Sequence, residues 1–154
     1  MAAQSILEFF QDEEQHWVAR LKCGHTVHMR HRPPQESRPW VTTPSGRSQH
    51  VGMEVDCKFC NMPQLPADVE KYKQTRVFDE ETIPAGLTRD HATASGVWGR
   101  IVVQSGRLLY EIPERGESWV LRPSVLGTIA PGQKHQVSPV GAVSFFVEFL
   151  REKR

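Results

Sequence analysis

The sequence predicts a mainly β protein built as two small domains, and three observations carry that expectation. All three cysteines of the 154-residue chain fall into one pattern, Cys23-Gly24-His25 answered by Cys57-Lys58-Phe59-Cys60. A two-proline stretch, Asn61-Met62-Pro63-Gln64-Leu65-Pro66, follows the second cysteine pair directly. Proline removes a backbone donor and biases its predecessor toward extended geometry, so this stretch reads as a connector. Beyond it, short apolar runs alternate with Gly or Pro turns about every ten residues, the punctuation of a β-sandwich or barrel. The domains are therefore placed at residues 1–62 and 66–154.

In the first domain, Ile6 to Gln11 and His16 to Leu21 read as two strands around an Asp12-Glu13-Glu14-Gln15 turn. Trp17, Ala19 and Leu21 alternate against Val18, Arg20 and Lys22, a period of two. An amphipathic helix over residues 5–21 would also gather Ile6, Leu7, Phe10, Trp17 and Leu21 on one face. Strands are favoured because Val18 to Leu21 runs straight into the Cys23 turn, as in a zinc hairpin. From Arg32 to Gly52 the chain carries Pro33-Pro34, Pro39 and Pro44 with few aliphatics. Such a span buries too little apolar surface to order itself, which gives a metal clip on its flanks a physical purpose.

The second domain reads as nearly all strand. Val97 to Val103, a turn at Gln104-Ser105-Gly106, and Arg107 to Ile112 come first. A polar turn at Pro113 to Glu117 leads to Ser118 to Leu121, then Gly127 to Ala130. A Pro131-Gly132 turn precedes His135 to Val140, and Val143 to Leu150 closes the series.

Zinc prefers thiolate and imidazole, and a structural site closes with four such ligands. Cys23, Cys57 and Cys60 supply three, and the fourth comes from His25, His28 or His31. His25 is the first choice, since Gly24 permits the backbone angles of a tight Cys-Gly-His knuckle. His28 is its alternative. On an extended strand His28 and His31 point to opposite faces, so the two cannot both bind. Four protein ligands leave no open position, which makes the site structural. A three-Cys, one-His iron–sulfur cluster and a single disulfide with a leftover thiol are the competing readings.

Two features of the second domain suggest a further metal. Ala130-Pro131-Gly132-Gln133-Lys134-His135 is a turn that delivers a histidine to the start of a strand, and His91 offers a second imidazole. Glu148 sits in the apolar run Phe145 to Phe149, where a carboxylate is costly to bury unless paired or bound to a cation. Two His plus one carboxylate is a known open set for a divalent metal. The competing readings are a hydrogen-bonded core histidine, and a Glu148 that faces outward and pairs with Arg89, Arg100 or Arg107.

Composition excludes several classes. A formal net charge of +1 gives no global field toward nucleic acid or membrane. The basic segment Arg30 to Arg38 could still touch a phosphate backbone or protein partner, but a cluster this small argues for a solvated strand. No apolar run approaches the roughly 20 residues that span a bilayer. Ile6 to Phe10 is too short for a signal peptide, and acidic residues follow at once. A reducing cytoplasm is the expected location.

Residues from about Leu65 onward resemble the cupin-like domain that precedes the methyltransferase in some TehB-type tellurite-resistance proteins and stands alone in small YeaR-type bacterial proteins. The residues that carry the resemblance are Lys73 to Thr75, Ile83 to Leu87, Arg89 to His91, Gly96 to Arg100, Pro131 to His135 and Phe145 to Phe149. The first half is similar to a small uncharacterised bacterial family with Cys23 to His25, Arg30 to Pro34, Arg38 to Trp40 and Cys57 to Cys60. The cupin resemblance implies a single double-stranded β-helix barrel, edge-to-edge homodimers, and a metal in the lumen. It also implies a role in tellurite-type or nitrosative-type stress through a small-molecule or anion ligand. Two departures weigh against catalysis: His91 stands without the His-x-His of the first cupin motif, and Pro139 replaces the usual Asn of the second. No glycine-rich cofactor loop is present, so methyl transfer to tellurite is not expected of these residues. A metal-dependent dioxygenase or isomerase activity in the barrel is the enzyme alternative, and an adaptor module using Arg30 to Arg38 the third.

Overall fold

The computed structural model describes residues 2–153, and the chain divides into two compact units, Met1–Asn61 and Met62–Arg154. Among the described residues, no helix is long and apolar enough to cross a membrane.

The first unit is a four-stranded antiparallel sheet of β1 (Ala3–Gln11), β2 (Trp17–Leu21), β3 (Thr26–His28) and β4 (Glu54–Asp56), in the order β3-β2-β1-β4. The β1–β2 hairpin turns where the acidic tetrapeptide predicted it. Asp12 Oδ1 accepts from the Glu14 and His16 amides, and Gln15 takes the left-handed conformation that closes the loop. Leu7 is an inserted bulge residue between the pairs Ile6–Leu21 and Glu8–Arg20, and it stands 52 % exposed. That insertion leaves Ile6 inside with Ala19, Leu21, Met29, Val41 and Cys57.

The proline-rich span is more ordered than its composition predicts. It forms a 3₁₀ turn at Pro39–Thr42 and a short helix, α1 (Pro44–His50). The start signal is Thr43-Pro44: the Thr43 hydroxyl accepts from the Gly46 amide, and proline is tolerated at the first helical position. Aromatic packing then replaces the missing aliphatics. Trp40 stacks on His50 with ring centroids 3.7 Å apart and meets Phe9 edge-on at 5.8 Å, while the Arg47 guanidinium lies 3.6 Å over Trp17. Gly46 is required there, because a side chain would run into the Trp40 backbone.

The second unit is a curled six-stranded sheet. Its members are β5 (Val69–Gln74), β6 (Phe78–Asp79), β7 (Trp98–Ile112), β8 (Glu117–Leu121), β9 (Gly127–Ile129) and β10 (Gln136–Glu152). The order is β5-β10-β7-β8, with β6 on β10 and β9 on β7.

The predicted turn at Gln104 to Gly106 is not a hairpin: β7 runs through it as one strand of 15 residues against a β10 of 17. Ser144 pairs with Ser105 and Phe145 with Val103, so Gln104 is an inserted residue. It shifts the inward set from Ile101 and Val103 to Leu108, Tyr110 and Ile112. Gly106, at φ +78°, lets β10 approach where a side chain would meet the Ala142 carbonyl. Glycine marks a bulge and a turn alike, which is why the pattern read as a turn. The bends fold the apolar face inward around Trp119, Tyr110 and Phe145, all fully buried.

Candidate metal centre

The Cys/His quartet converges because the β2–β3 connection and the segment after β4 end side by side. The Cys23-Gly24-His25 knuckle closes with the Gly24 amide donating to Leu21 and the Leu21 amide to His25, while Gly24 sits at φ +91°. In the second loop the Cys57 amide donates to Ala2, and the Asn61 amide reaches back to Cys57 and Lys58. One ligand atom from each of Cys23, His25, Cys57 and Cys60 lies within 4.8 Å of all the others.

Cys23 Sγ is 3.6 Å from Cys57 Sγ, and His25 Nδ1 is 3.4 Å from Cys57 Sγ and 3.5 Å from Cys60 Sγ. A tetrahedral zinc with bonds of about 2.3 Å to sulfur and about 2.0 Å to nitrogen has S···S edges of about 3.8 Å and S···N edges of about 3.5 Å. These three spacings match the edges around one four-coordinate ion, and the other three lie within 4.8 Å, so the quartet could hold such an ion. It is not a disulfide, whose sulfurs would be about 2.05 Å apart. Burial and the neighbouring sulfurs push the Cys60 thiol up to about 12. Burial also opposes ionisation of Cys23, but the His25 amide and the Cys57 and Cys60 sulfurs outweigh it and hold that thiol below its usual value.

His28 and His31 are not brought to this group. His28 Nε2 lies 3.0 Å from Asp12 Oδ2, and His31 Nδ1 accepts from the Arg38 amide at 2.9 Å. Asp12 read only as a turn residue in the sequence; it is the anchor that draws His28 away.

In the second unit His91 and His135 face each other across an isolated bridge. Each amide donates to the other's carbonyl, at 2.9 and 2.8 Å, and the rings meet edge-on at 5.4 Å. His135 is 3 % exposed. Its Nδ1 donates to the Gln133 carbonyl at 2.9 Å, which leaves Nε2 as the acceptor. Burial, aided by nearby His91 and opposed by the Gln133 carbonyl, lowers its pKa and keeps the ring neutral. Both rings line an apolar cavity of about 30 Å³ with Ile101, Phe145, Val147 and Phe149. Tyr110 approaches His135 at 6.0 Å, but its hydroxyl donates to the Thr128 carbonyl.

Glu148 is placed away from these histidines, on the face of β10 opposite Phe145, Val147 and Phe149. Its oxygens receive Arg100 Nε at 2.9 Å and Lys71 Nζ at 3.0 Å. Arg100 is among its expected partners; Lys71 reaches it from β5, a charged and exposed strand with no apolar period to mark it. Burial works to raise the Glu148 pKa, but the bonds from Lys71 and Arg100 outweigh it and hold the carboxyl below its usual range. A carboxyl depressed by folding contributes stability above its unfolded pKa, and that contribution is lost as pH falls through the folded value. Glu148→Gln is thus expected to destabilise this unit by about 1–2 kcal/mol at neutral pH, with the deficit vanishing in acid. Urea unfolding across pH checks this, and a deficit that persists unchanged in acid would contradict the charge-based account.

Residues 7–64 match the family described as "Protein of unknown function (DUF3565)", and residues 73–147 match the TehB-like domain. No curated protein matches the chain. Among solved structures, TehB from Haemophilus influenzae superimposes with a TM-score of 0.51 at 24 % identity, covering 56 % of this chain and 32 % of that one. A protein from E. coli strain K12 gives a TM-score of 0.53 at 18 % identity, covering 60 % of this chain and all (100 %) of that one. The chain thus spans about a third of the TehB structure's length, and at these identities the likeness is one of fold. The match to the TehB-like domain over residues 73–147 lies within the second unit, and the match over residues 7–64 takes in most of the first.

Proposed function

We propose that this is a metal-binding protein in which the first unit is a zinc-ribbon-like domain clipped by a structural zinc, and the second a cupin-like double-stranded β-helix that binds a small ligand in its lumen. The observation that carries the reading is the quartet Cys23, His25, Cys57 and Cys60, whose spacings are those of the edges of a zinc tetrahedron. The domains run over residues 1–62 and 66–154, and three unlinked thiols suit a reducing cytoplasm.

In the second domain His91 and His135 offer two imidazoles at an apolar cavity, a donor pair for a second divalent metal. Glu148, tied to Lys71 and Arg100, is not part of that set. Two protein ligands leave several positions open, so small anions would complete the coordination. This supports a role in binding toxic oxyanions or related small molecules during stress. The same open positions favour one second reading, metal-dependent dioxygenase or isomerase chemistry in the barrel.

Metal analysis tests both halves. The purified chain is expected to hold one tight zinc and one metal that dialysis against a chelator removes. His91→Ala and His135→Ala should each lower affinity for the exchangeable metal at least tenfold and leave the tight zinc in place. If both variants keep the exchangeable metal, the lumen site is wrong.

A further inference from the structure

The first unit contains a second polar site, separate from the Cys/His quartet. A cavity of about 170 Å³ opens between the acidic turn after β1 and the residues following β3. Its polar walls include Arg30, His31, Arg32 and His16, with Gln15 and Thr42; its apolar walls include Trp17 and Met29. No Asp or Glu lines it. Arg30 Nε is buried without a hydrogen-bond partner, and so is His16 Nδ1.

The charges around the cavity are unevenly matched. Asp12 and Glu14 approach His16 Nδ1 at 3.9 and 3.6 Å, so carboxylates attend the His16 end. Asp12 is already committed to two amides and to His28. At the other end, among the described residues, neither Arg30 nor Arg32 has a carboxylate within 4.0 Å. His31 Nδ1 accepts from the Arg38 amide, so the neutral ring carries its proton on Nε2 and offers a donor there. Arg38 donates to the Arg30 carbonyl at 2.9 Å, which fixes the Arg30 backbone. Arg30, His31 and Arg32 thus line one end of a concave site, and beside it one buried guanidinium N–H of Arg30 is unanswered. Buried donors of this kind are ordinarily satisfied, and guanidinium is the side chain best matched to the paired oxygens of an oxyanion.

We propose that this cavity is an oxyanion-binding site, taking a small phosphate or carboxylate group between Arg30, His31 and Arg32. The ligand is a small molecule or free ion. An extended nucleic acid would instead use the whole Arg30 to Arg38 surface.

Titration of the full, zinc-loaded chain with inorganic phosphate and, separately, with acetate tests the proposal, followed by calorimetry and by amide shifts of residues 15–17 and 29–32. Saturable binding of either anion is expected, and the preferred one identifies the head group. Arg30→Gln should weaken that binding at least tenfold, Arg30→Lys less so, with zinc content and near-ultraviolet circular dichroism unchanged in both. Phosphate and acetate that cause no shifts, or binding that Arg30→Gln leaves intact, would overturn the proposal. Binding of a single-stranded oligonucleotide without binding of either small anion would also overturn it, in favour of a surface contact. Because the zinc is measured independently, failure here is distinct from failure of the metal-clip reading.

Discussion

Replacing Cys57 and Cys60 with Ser is expected to release one zinc per chain and to unfold the first unit. The magnitude follows from how little else holds that unit together. Its fully buried cluster is Ile6, Ala19, Leu21, Met29, Val41 and Cys57, with partly buried residues such as Phe9, Trp17 and Trp40 packed against it, and Cys57 belongs to the quartet itself. A structural zinc supplies roughly 10–16 kcal/mol of apparent binding free energy at pH 7, against total stabilities of about 5–15 kcal/mol for whole domains. Losing such an ion would exceed what a core this small can offset. The measurement is metal content together with a two-dimensional amide spectrum: resonances of residues 2–61 should collapse to the unfolded range, while those of the second unit persist. His25→Ala should act in the same direction. His28→Ala should leave the metal bound, because His28 is engaged with Asp12 rather than the quartet. Ligands must be deprotonated to bind, so acid should release the metal as well. A zinc-free variant that keeps its dispersed first-unit resonances would refute the clip.

The quartet was legible because its information is local. A Cys-Gly-His turn and a Cys-x-x-Cys turn each fix two ligands within a few residues, and Gly24 signals the backbone angle that the first turn needs. The β1–β2 hairpin was legible for the same reason, since Asp12 caps its own turn. Less of the second unit could be read, because bulges are defined by the partner strand. Nothing local to Gln104 says that Ser105 and Val103 will pair with adjacent residues of β10, so an inserted residue and a hairpin tip look alike. Strand β5 escaped notice because Val69 to Gln74 is charged and largely exposed, an edge strand with little apolar period. Missing β5 in turn hid Lys71, and with it half of the reason that Glu148 needs no metal. The cavity beside Arg30 depends on where Trp17 and Met29 lie in three dimensions, which residue spacing does not encode.

Phe145→Ala is expected to cost the second unit about 3–5 kcal/mol, the range for truncating a fully buried aromatic side chain. Phe145 is 0 % exposed, lies opposite Val103 on β7, and packs on the Phe78 ring at 5.7 Å. It also walls the cavity that His91 and His135 share. For a domain of this size the loss should lower the melting temperature by more than about 10 °C. Phe146→Ala is the control: that residue is on the opposite face and only half-buried, so its effect should be a fraction of this. The pair of variants also separates packing from metal binding. His91 and His135 are fixed by two backbone hydrogen bonds and by the Gln133 carbonyl, none of which involves Phe145. Below its melting temperature, Phe145→Ala should therefore keep the proposed exchangeable metal while admitting a bulkier ligand into the enlarged cavity. If stability falls as expected but the metal is lost from the still-folded variant, the histidine pair depends on the apolar wall for its geometry. The cavity would then be one cooperative site rather than a proposed metal centre set beside an inert core.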